Sequence, residues 1–107
     1  MIQVTYHRQY SRVSVKGHAG SGPEGHDLVC AGVSALTATL ACNVAHMADQ
    51  GAVREAITEL KEGDALVQCT PRGRYRESVA QIYRAICVGF ELLATKYPEN
   101  ISYEIVG

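Results

Sequence analysis

His18 and Cys30 have the side chains of a nucleophilic pair, and both lie at the ends of predicted elements. His18 follows a strand-like run, and Cys30 lies in the first turn of a long alanine-rich helix that we expect Asp27 to cap. The unpaired N–H groups and the positive end of that helix would stabilise the Cys30 thiolate and an oxyanion beside it. An imidazole facing the sulfur could accept the thiol proton and later donate it to a leaving amine. The pair is therefore a candidate for covalent catalysis of acyl transfer, and the alternative from spacing alone is a buried helix cysteine and a strand-end histidine.

A glycine-rich loop joins these two residues. Its glycines are Gly20, Gly22 and Gly25. Glycine adopts backbone angles that are closed to other residues, and Pro23 stiffens only part of the loop. We therefore expect residues 19–26 to form a mobile flap that binds a peptide chain and closes over it.

Three neighbours of the pair have two interpretations each. Asp27 is either only the helix N-cap or a cap that also orients His18 as the third member of a triad, and we favour the second. His26 is a second imidazole beside the site, and we expect it to be solvated in the loop rather than essential. Ser34 lies one turn after Cys30 and could line the substrate site, although a helix serine is more often a packing residue.

A metal site is a second hypothesis for the same segment. Its candidate ligands are His18, His26, Asp27 and Cys30. These side chains coordinate zinc, but their spacing lacks the pairing that is typical of established zinc sites. We therefore expect no metal and no cofactor.

The elements that must position the pair follow from hydrophobic periodicity. Alternating apolar residues predict five strands, and apolar residues at steps of three and four predict two helices. The first helix extends from Asp27 to a C-cap at Gly51, and the second ends before Pro98. Residues 53–60 could be helical by propensity, but Glu62-Gly63-Asp64 resembles a hairpin turn, so 53–60 and 64–70 are expected to pair as strands. The order ββαββαβ predicts an α+β two-layer sandwich, an antiparallel or mixed sheet with both helices on one face.

Composition excludes several classes of protein. With 47% hydrophobic and 20% charged residues, the chain is expected to form one globular domain over residues 1–107 rather than a disordered segment. A net charge of −1 gives no general attraction to nucleic acid. No run is predicted to span a membrane, and the N-terminus lacks the pattern of a signal peptide. We therefore expect a cytoplasmic protein that binds neither membranes nor nucleic acid directly.

The remaining cysteines and a basic cluster have ordinary explanations. No paired cysteine spacing is present, so all four thiols are expected to be free. Those outside the site, Cys42, Cys69 and Cys87, are expected to be buried. The cluster of Arg72, Arg74 and Arg76 around Tyr75 could contact an anionic partner, but a solvated helix entrance is favoured.

The segment from Gly17 to Ser34 resembles the ribosomal-processing cysteine protease family, also described as YsxB-like. The shared pattern is Gly-His-Ala, a glycine-containing loop, Gly-x-Asp and then Leu-Val-Cys-Ala-Gly-Val-Ser. The resemblance implies that His18 and Cys30 are the catalytic pair and that Asp27 corresponds to the family's aspartate before the helix.

This resemblance also implies a function. Such an enzyme would remove a short N-terminal extension from a large-subunit ribosomal protein, holding that segment extended, with apolar side chains near the cut. The resemblance and the uncovered surface of a small two-layer fold both point to a homodimer. The alternative is a non-enzymatic, ribosome-associated module that docks through the glycine loop.

Overall fold

The computed structural model describes residues 1–19 and 26–107. Within these ranges, strands and α-helices follow in the predicted order ββαββαβ. The strands are β1 (Ile2–His7), β2 (Arg12–Lys16), β3 (Val53–Lys61), β4 (Asp64–Pro71) and β5 (Ile101–Val106). The helices are α1 (His26–Asp49) and α2 (Arg76–Lys96), and short 3-10 turns at Arg8–Tyr10 and Gly73–Tyr75 precede β2 and α2.

The strands form one mixed sheet in the order β3-β4-β2-β1-β5. β1 and β5 are parallel, and the other neighbours are antiparallel, so both predicted hairpins are confirmed. Val15 pairs with Val4 on one side and with Ala65 on the other, and all three are buried. Gln3 and Lys16, which pair on the opposite face, are exposed. Both helices therefore cover the same face, and the predicted α+β sandwich is confirmed.

The core lies between this face of the sheet and one stripe of each helix. The buried residues of α1 are Val29, Val33, Thr37, Leu40, Val44 and Met47. Those of α2 are Val79, Tyr83, Cys87 and Phe90. The Tyr83 ring stacks on Tyr6 with 5.8 Å between centroids, and its hydroxyl donates to the carbonyl oxygen of Val67 at 3.2 Å. The phenol oxygen is therefore paired even though it lies in the core.

The two helices approach each other closely at a pair of glycines. A Cβ atom on Gly32 of α1 would lie 3.0 Å from Cδ1 of Leu93, and one on Gly89 of α2 would lie 2.6 Å from Cδ2 of Leu36. Each glycine thus accepts a leucine of the other helix. Larger residues there would push the helices apart or displace the leucines.

The ends of α1 differ in how well the sequence predicts them. The helix begins at His26, so the prediction that Asp27 is its N-cap is wrong, and Asp27 is the second residue of the first turn. A carboxylate in the first turn interacts favourably with the positive helix end, as a carboxylate at the N-cap does. The residue type alone therefore does not show which of these two positions Asp27 occupies. The predicted C-cap is confirmed. Gly51 has φ +76°, and the N–H groups of Gly51 and Ala52 donate to the carbonyls of Ala48 and Met47, a Schellman motif.

α1 also corrects the expectation about membrane spans. By length and composition alone, this helix is long and apolar enough to cross a membrane. One stripe of the helix packs against the sheet in the core, and most of its apolar window lies outside that core.

Candidate active site

His18 and Cys30 line one groove of about 480 Å³ between the end of β2, the first half of α1 and the β3–β4 turn. Ser34, one turn after Cys30, lines the same groove. Cys30 is half-buried, whereas His18 and Ser34 are exposed. Within the described ranges, the structure records no hydrogen bond between the His18 imidazole and the Cys30 sulfur. The two groups therefore share a surface on which an acyl group could be bound between them.

The main chain just before His18 is held by contacts of Gly17 with Met1 and Gly63. A Cβ atom on Gly17 would lie 2.4 Å from the carbonyl oxygen of Met1, so only glycine fits at this approach. The Gly17 N–H donates to the carbonyl oxygen of Gly63 at 2.9 Å. This bond joins the end of β2 to the β3–β4 turn immediately before His18.

The imidazole of His18 lies directly against the backbone of that turn. A Cβ atom on Gly63 would lie 2.7 Å from Cε1 and 2.8 Å from Nε2 of the ring, closer than non-bonded atoms approach. Gly63 also has φ +75°, a conformation that other residues rarely adopt. The turn therefore provides a flat surface for the ring only because residue 63 is glycine.

A buried amide holds the residue that follows His18. The Asn100 side chain donates from Nδ2 to the carbonyl oxygen of Ala19 at 3.1 Å, and both residues are 2% exposed. The prediction that the flap begins at Ala19 is therefore wrong, because this residue is packed and hydrogen-bonded. The glycines of the predicted flap, Gly20, Gly22 and Gly25, lie outside the described residues.

Cys30 lies two residues further into α1 than the sequence predicts. It is the fifth residue of the helix, so the regular helical pattern pairs its own N–H with the His26 carbonyl. Side chains in a helix lean toward its N-terminus, which directs the cysteine toward the first turn. The unpaired N–H groups beside the sulfur then belong to the first turn, not to Cys30 itself.

The acidic and second imidazole groups near the pair are placed differently from expectation. Asp27 is exposed in the first turn of α1. In the described part of the chain, the structure records no hydrogen bond that the Asp27 carboxylate accepts from His18. His26 is the first residue of α1 and is half-buried, so the prediction of a solvated loop histidine is wrong. Among the described residues, no group of three or more His, Cys, Asp or Glu could hold a metal ion.

The cysteines outside the groove fall into two classes. Cys69 and Cys87 are buried as predicted, and burial raises the pKa of both thiols, that of Cys87 to about 11. Cys42 is exposed, which corrects the expectation that it is buried. It lies two residues after Leu40, almost opposite the buried stripe of α1. All four thiols are free, as predicted.

The basic cluster stands away from the groove, at the start of α2. Arg72, Arg74 and Arg76 are all exposed. The Arg74 guanidinium lies 5.2 Å from the centre of the Tyr75 ring, a cation–π contact. This geometry agrees with the solvated helix entrance that the sequence favours.

Sequence reasoning missed the two residues that contact the histidine segment from outside. Gly63 was identified only as part of a hairpin turn, and Asn100 was not singled out. A positive-φ glycine in a turn and a polar residue before a strand each have a sufficient local explanation. No pattern in a single sequence separates those local roles from contacts with His18 and Ala19.

The family described as "Cysteine protease Prp" matches residues 1–102 of the chain. The chain belongs to this family. The match extends well beyond the segment 17–34 on which the resemblance was based. No curated protein matches the chain.

Solved structures share the fold over nearly the whole length. SMU.848 from Streptococcus mutans is 28% identical, with a TM-score of 0.71, covering 99% of this chain and 94% of that one. The ribosomal processing protease Prp from S. aureus, solved with a substrate peptide, is 22% identical with a TM-score of 0.73, covering 98% and 99%. The same protease with a covalently linked product peptide is 22% identical with a TM-score of 0.72 and the same coverage.

Proposed function

We propose that this chain is a cysteine endopeptidase that removes a short N-terminal extension from a large-subunit ribosomal protein. Cys30 is the nucleophile and His18 is the base. The observation that carries the proposal is that these side chains line one groove in a chain of a cysteine protease family. The S. aureus Prp structures, which hold a substrate peptide and a covalently linked product peptide, support the same function.

In the first half-reaction, His18 accepts the proton of the Cys30 thiol as the sulfur attacks the carbonyl carbon of the scissile bond. The carbonyl electrons move to oxygen, and a tetrahedral oxyanion forms. The free N–H groups in the first turn of α1, together with the positive end of the helix, stabilise that charge. The C–N bond then breaks, His18 donates its proton to the leaving amine, and a thioester with Cys30 remains.

In the second half-reaction, a water molecule hydrolyses the thioester. His18 accepts a proton from the water as its oxygen attacks the thioester carbon. The second tetrahedral intermediate collapses, the C–S bond breaks, and the sulfur recovers its proton from His18. The products are a carboxylic acid and an amine, and the enzyme returns to its starting state without any metal or redox partner.

The groove favours an extended substrate with apolar side chains near the cut. Val15, Val33 and Leu60 provide apolar lining, and the Ser34 hydroxyl is a polar group one helical turn from the nucleophile. Leu60 is 54% exposed, so an apolar side chain of a peptide can still cover it. A peptide bound along this lining gains contact area from alternate side chains, as in strand-like recognition.

We assign Asp27 a supporting role with two separable parts. Its carboxylate stabilises α1 through the positive end of the helix, and it can help to orient His18 once a substrate is bound. Asp27→Asn removes the charge but keeps the shape. A lower kcat at unchanged stability would indicate orientation, and lower stability at unchanged kcat would indicate the helix role alone.

We also propose that the enzyme is a homodimer that pairs through β3. This edge strand of the sheet is exposed along its length after Val53 and carries the exposed apolar residue Ile57. Long edge strands with apolar side chains favour pairing with another strand. Light scattering at micromolar concentration should give twice the chain mass. Ile57→Glu should yield a monomer, while Ile105→Glu on the opposite edge strand, β5, should not; a monomeric wild type would refute the proposal.

The experiment that tests the protease is mass spectrometry of the candidate ribosomal protein after incubation with this enzyme. Wild type should remove an N-terminal segment, and Cys30→Ala and His18→Ala should not. Cys42→Ala is the matched control, because it removes an exposed thiol from the same helix outside the groove. Rates within about tenfold of wild type for the Cys30 or His18 variant would refute the pair, because either loss should remove nearly all covalent catalysis.

A further inference from the structure

Asn100 is a buried polar residue whose side chain reaches a segment distant in sequence. It is 2% exposed, and its Nδ2 donates to the Ala19 carbonyl oxygen at 3.1 Å across a sequence separation of 81 residues. A buried amide is unfavourable unless it is paired, and so is a buried carbonyl. The Asn100 amide and the Ala19 carbonyl therefore satisfy each other, and losing their hydrogen bond would leave both buried groups unpaired.

The backbone of Asn100 is fixed independently of this bond. Its N–H donates to the carbonyl of Tyr97 at 2.9 Å, at the end of α2, and its own carbonyl accepts from the Ile2 N–H at 2.9 Å. These bonds join α2, β5 and β1 without the side chain. The amide thus projects from a rigid frame, and removing it leaves that frame in place.

Two contacts hold the main chain on either side of His18. Before it, the Gly17 N–H donates to Gly63, and after it, the Ala19 carbonyl accepts from Asn100. The His18 side chain itself is exposed, and its ring packs against the Gly63 backbone, so that contact and the main chain together hold it. Its position depends on the main chain that carries it, and Asn100 supplies one of the two anchors.

We propose that Asn100 is a positioning residue for the histidine of the catalytic pair. Through the Ala19 carbonyl, it sets where the His18 imidazole lies relative to the groove and to Cys30. It contacts neither substrate nor reacting atoms. The proposal rests on the function proposed above for His18 and adds a residue that lies outside the segment resembling the family pattern.

The test compares Asn100→Asp with wild type in steady-state cleavage of a peptide that contains the scissile bond. Aspartate has nearly the same shape but replaces the donor by an acceptor facing the Ala19 carbonyl. We expect kcat to fall about tenfold or more, because misplaced catalytic groups lose rate steeply, with KM within about twofold. Asn100→Ser, which is smaller and uncharged, serves if the aspartate variant does not fold.

Tyr83→Phe is the matched control. Tyr83→Phe also removes a buried hydrogen bond from a side chain to a backbone carbonyl, that of Val67, together with a longer contact to the Cys69 sulfur, and Tyr83 lies outside the groove. It should lower stability, as the uncharged Asn100→Ser does, while leaving kcat unchanged. Equal kcat losses in the two variants would mean that Asn100 acts only through general stability, and would overturn the proposal.

A readout without catalysis separates this proposal from the protease function. The NMR signals of the His18 ring protons should shift in the Asn100 variants and stay in place in Tyr83→Phe. If Cys30→Ala abolishes cleavage but the Asn100 variants retain wild-type kcat and His18 signals, only the positioning proposal fails. If Cys30→Ala still cleaves, the protease mechanism fails, and the ring signals alone decide whether Asn100 positions His18.

Discussion

Gly63→Ala should lower kcat by much more than its loss in the free energy of unfolding can explain. The new Cβ would lie 2.7 Å from Cε1 of His18, whereas carbon atoms in contact lie about 3.5–4.0 Å apart. The imidazole must therefore move by about 1 Å, because the turn backbone is held by the bond from Gly17. A displacement of this size in a catalytic group costs up to about 100-fold in rate. We expect kcat to fall between about tenfold and 100-fold.

The same substitution also strains the backbone, and Gly51 provides the control for that effect. Gly63 has φ +75° and Gly51 has φ +76°, but nothing lies within 4 Å of a Cβ on Gly51. Alanine in this conformation costs about 1 kcal/mol or slightly more at either position. Gly51→Ala should therefore lose similar stability and retain full activity.

Two assays on both variants decide the matter. Urea unfolding gives the free energy of unfolding, and cleavage of a peptide substrate gives kcat and KM. Comparable stability losses with a kcat loss confined to Gly63→Ala would support the contact with His18. A cleavage rate for Gly63→Ala within about threefold of that for Gly51→Ala would refute the contact, since displacement of the proposed base should produce a larger loss.

Three further predictions concern thiols and packing. Iodoacetamide should label Cys30 before the exposed Cys42, because only Cys30 lies near a helix N-terminus and shares its groove with an imidazole; equal rates would count against this. The free energy of unfolding should fall as pH rises from 9 toward 11, because burial raises the Cys87 pKa from 9.0 to about 11 and the folded state holds that proton more tightly. Cys87→Ala should show a smaller fall in urea unfolding. Gly89→Ala should lower the free energy of unfolding by about 1 kcal/mol, since a Cβ 2.6 Å from Leu36 overpacks the interface by more than the gain in helix propensity offsets. Gly32→Ala, whose Cβ would lie 3.0 Å from Leu93, should leave the free energy of unfolding nearly unchanged.

Hydrophobic periodicity was sufficient to predict the order of the strands and helices, but not the first residue of α1 or the exposure of Cys42. The segment 53–60 is compatible with a helix by propensity, but the turn at Gly63 and the strand after it identify a hairpin, and β3 and β4 confirm this. The start of α1 was placed two residues late, because an aspartate is favourable both as a cap and in the first turn. Cys42 was expected to be buried from its residue type, but its position opposite the apolar stripe determines its exposure.

The proposed reacting groups of the candidate site could be predicted from the sequence, but the residues that hold the His18 segment, Gly63 and Asn100, could not. His18 and Cys30 are near each other in sequence and carry types with known chemistry, so a single segment was enough to suggest the groove that both line. Asn100 and Gly63 act through tertiary contacts across long stretches of chain. Such contacts depend on how strands pair, which residue types alone do not specify.

The contacts of Gly63 and Asn100 give the His18 segment a source of orientation other than an acidic partner. In a triad, a carboxylate fixes the ring by accepting its N–H. Here the ring rests on the backbone of the β3–β4 turn, and the chain beneath it is anchored on both sides by hydrogen bonds to Gly63 and from Asn100. Main-chain geometry can therefore contribute to the orientation of the proposed base, in addition to the role proposed for Asp27 once a substrate is bound. Under the proposed mechanism, β2 carries the base and α1 carries the nucleophile, so the packing of α1 on the sheet bears on the distance between them.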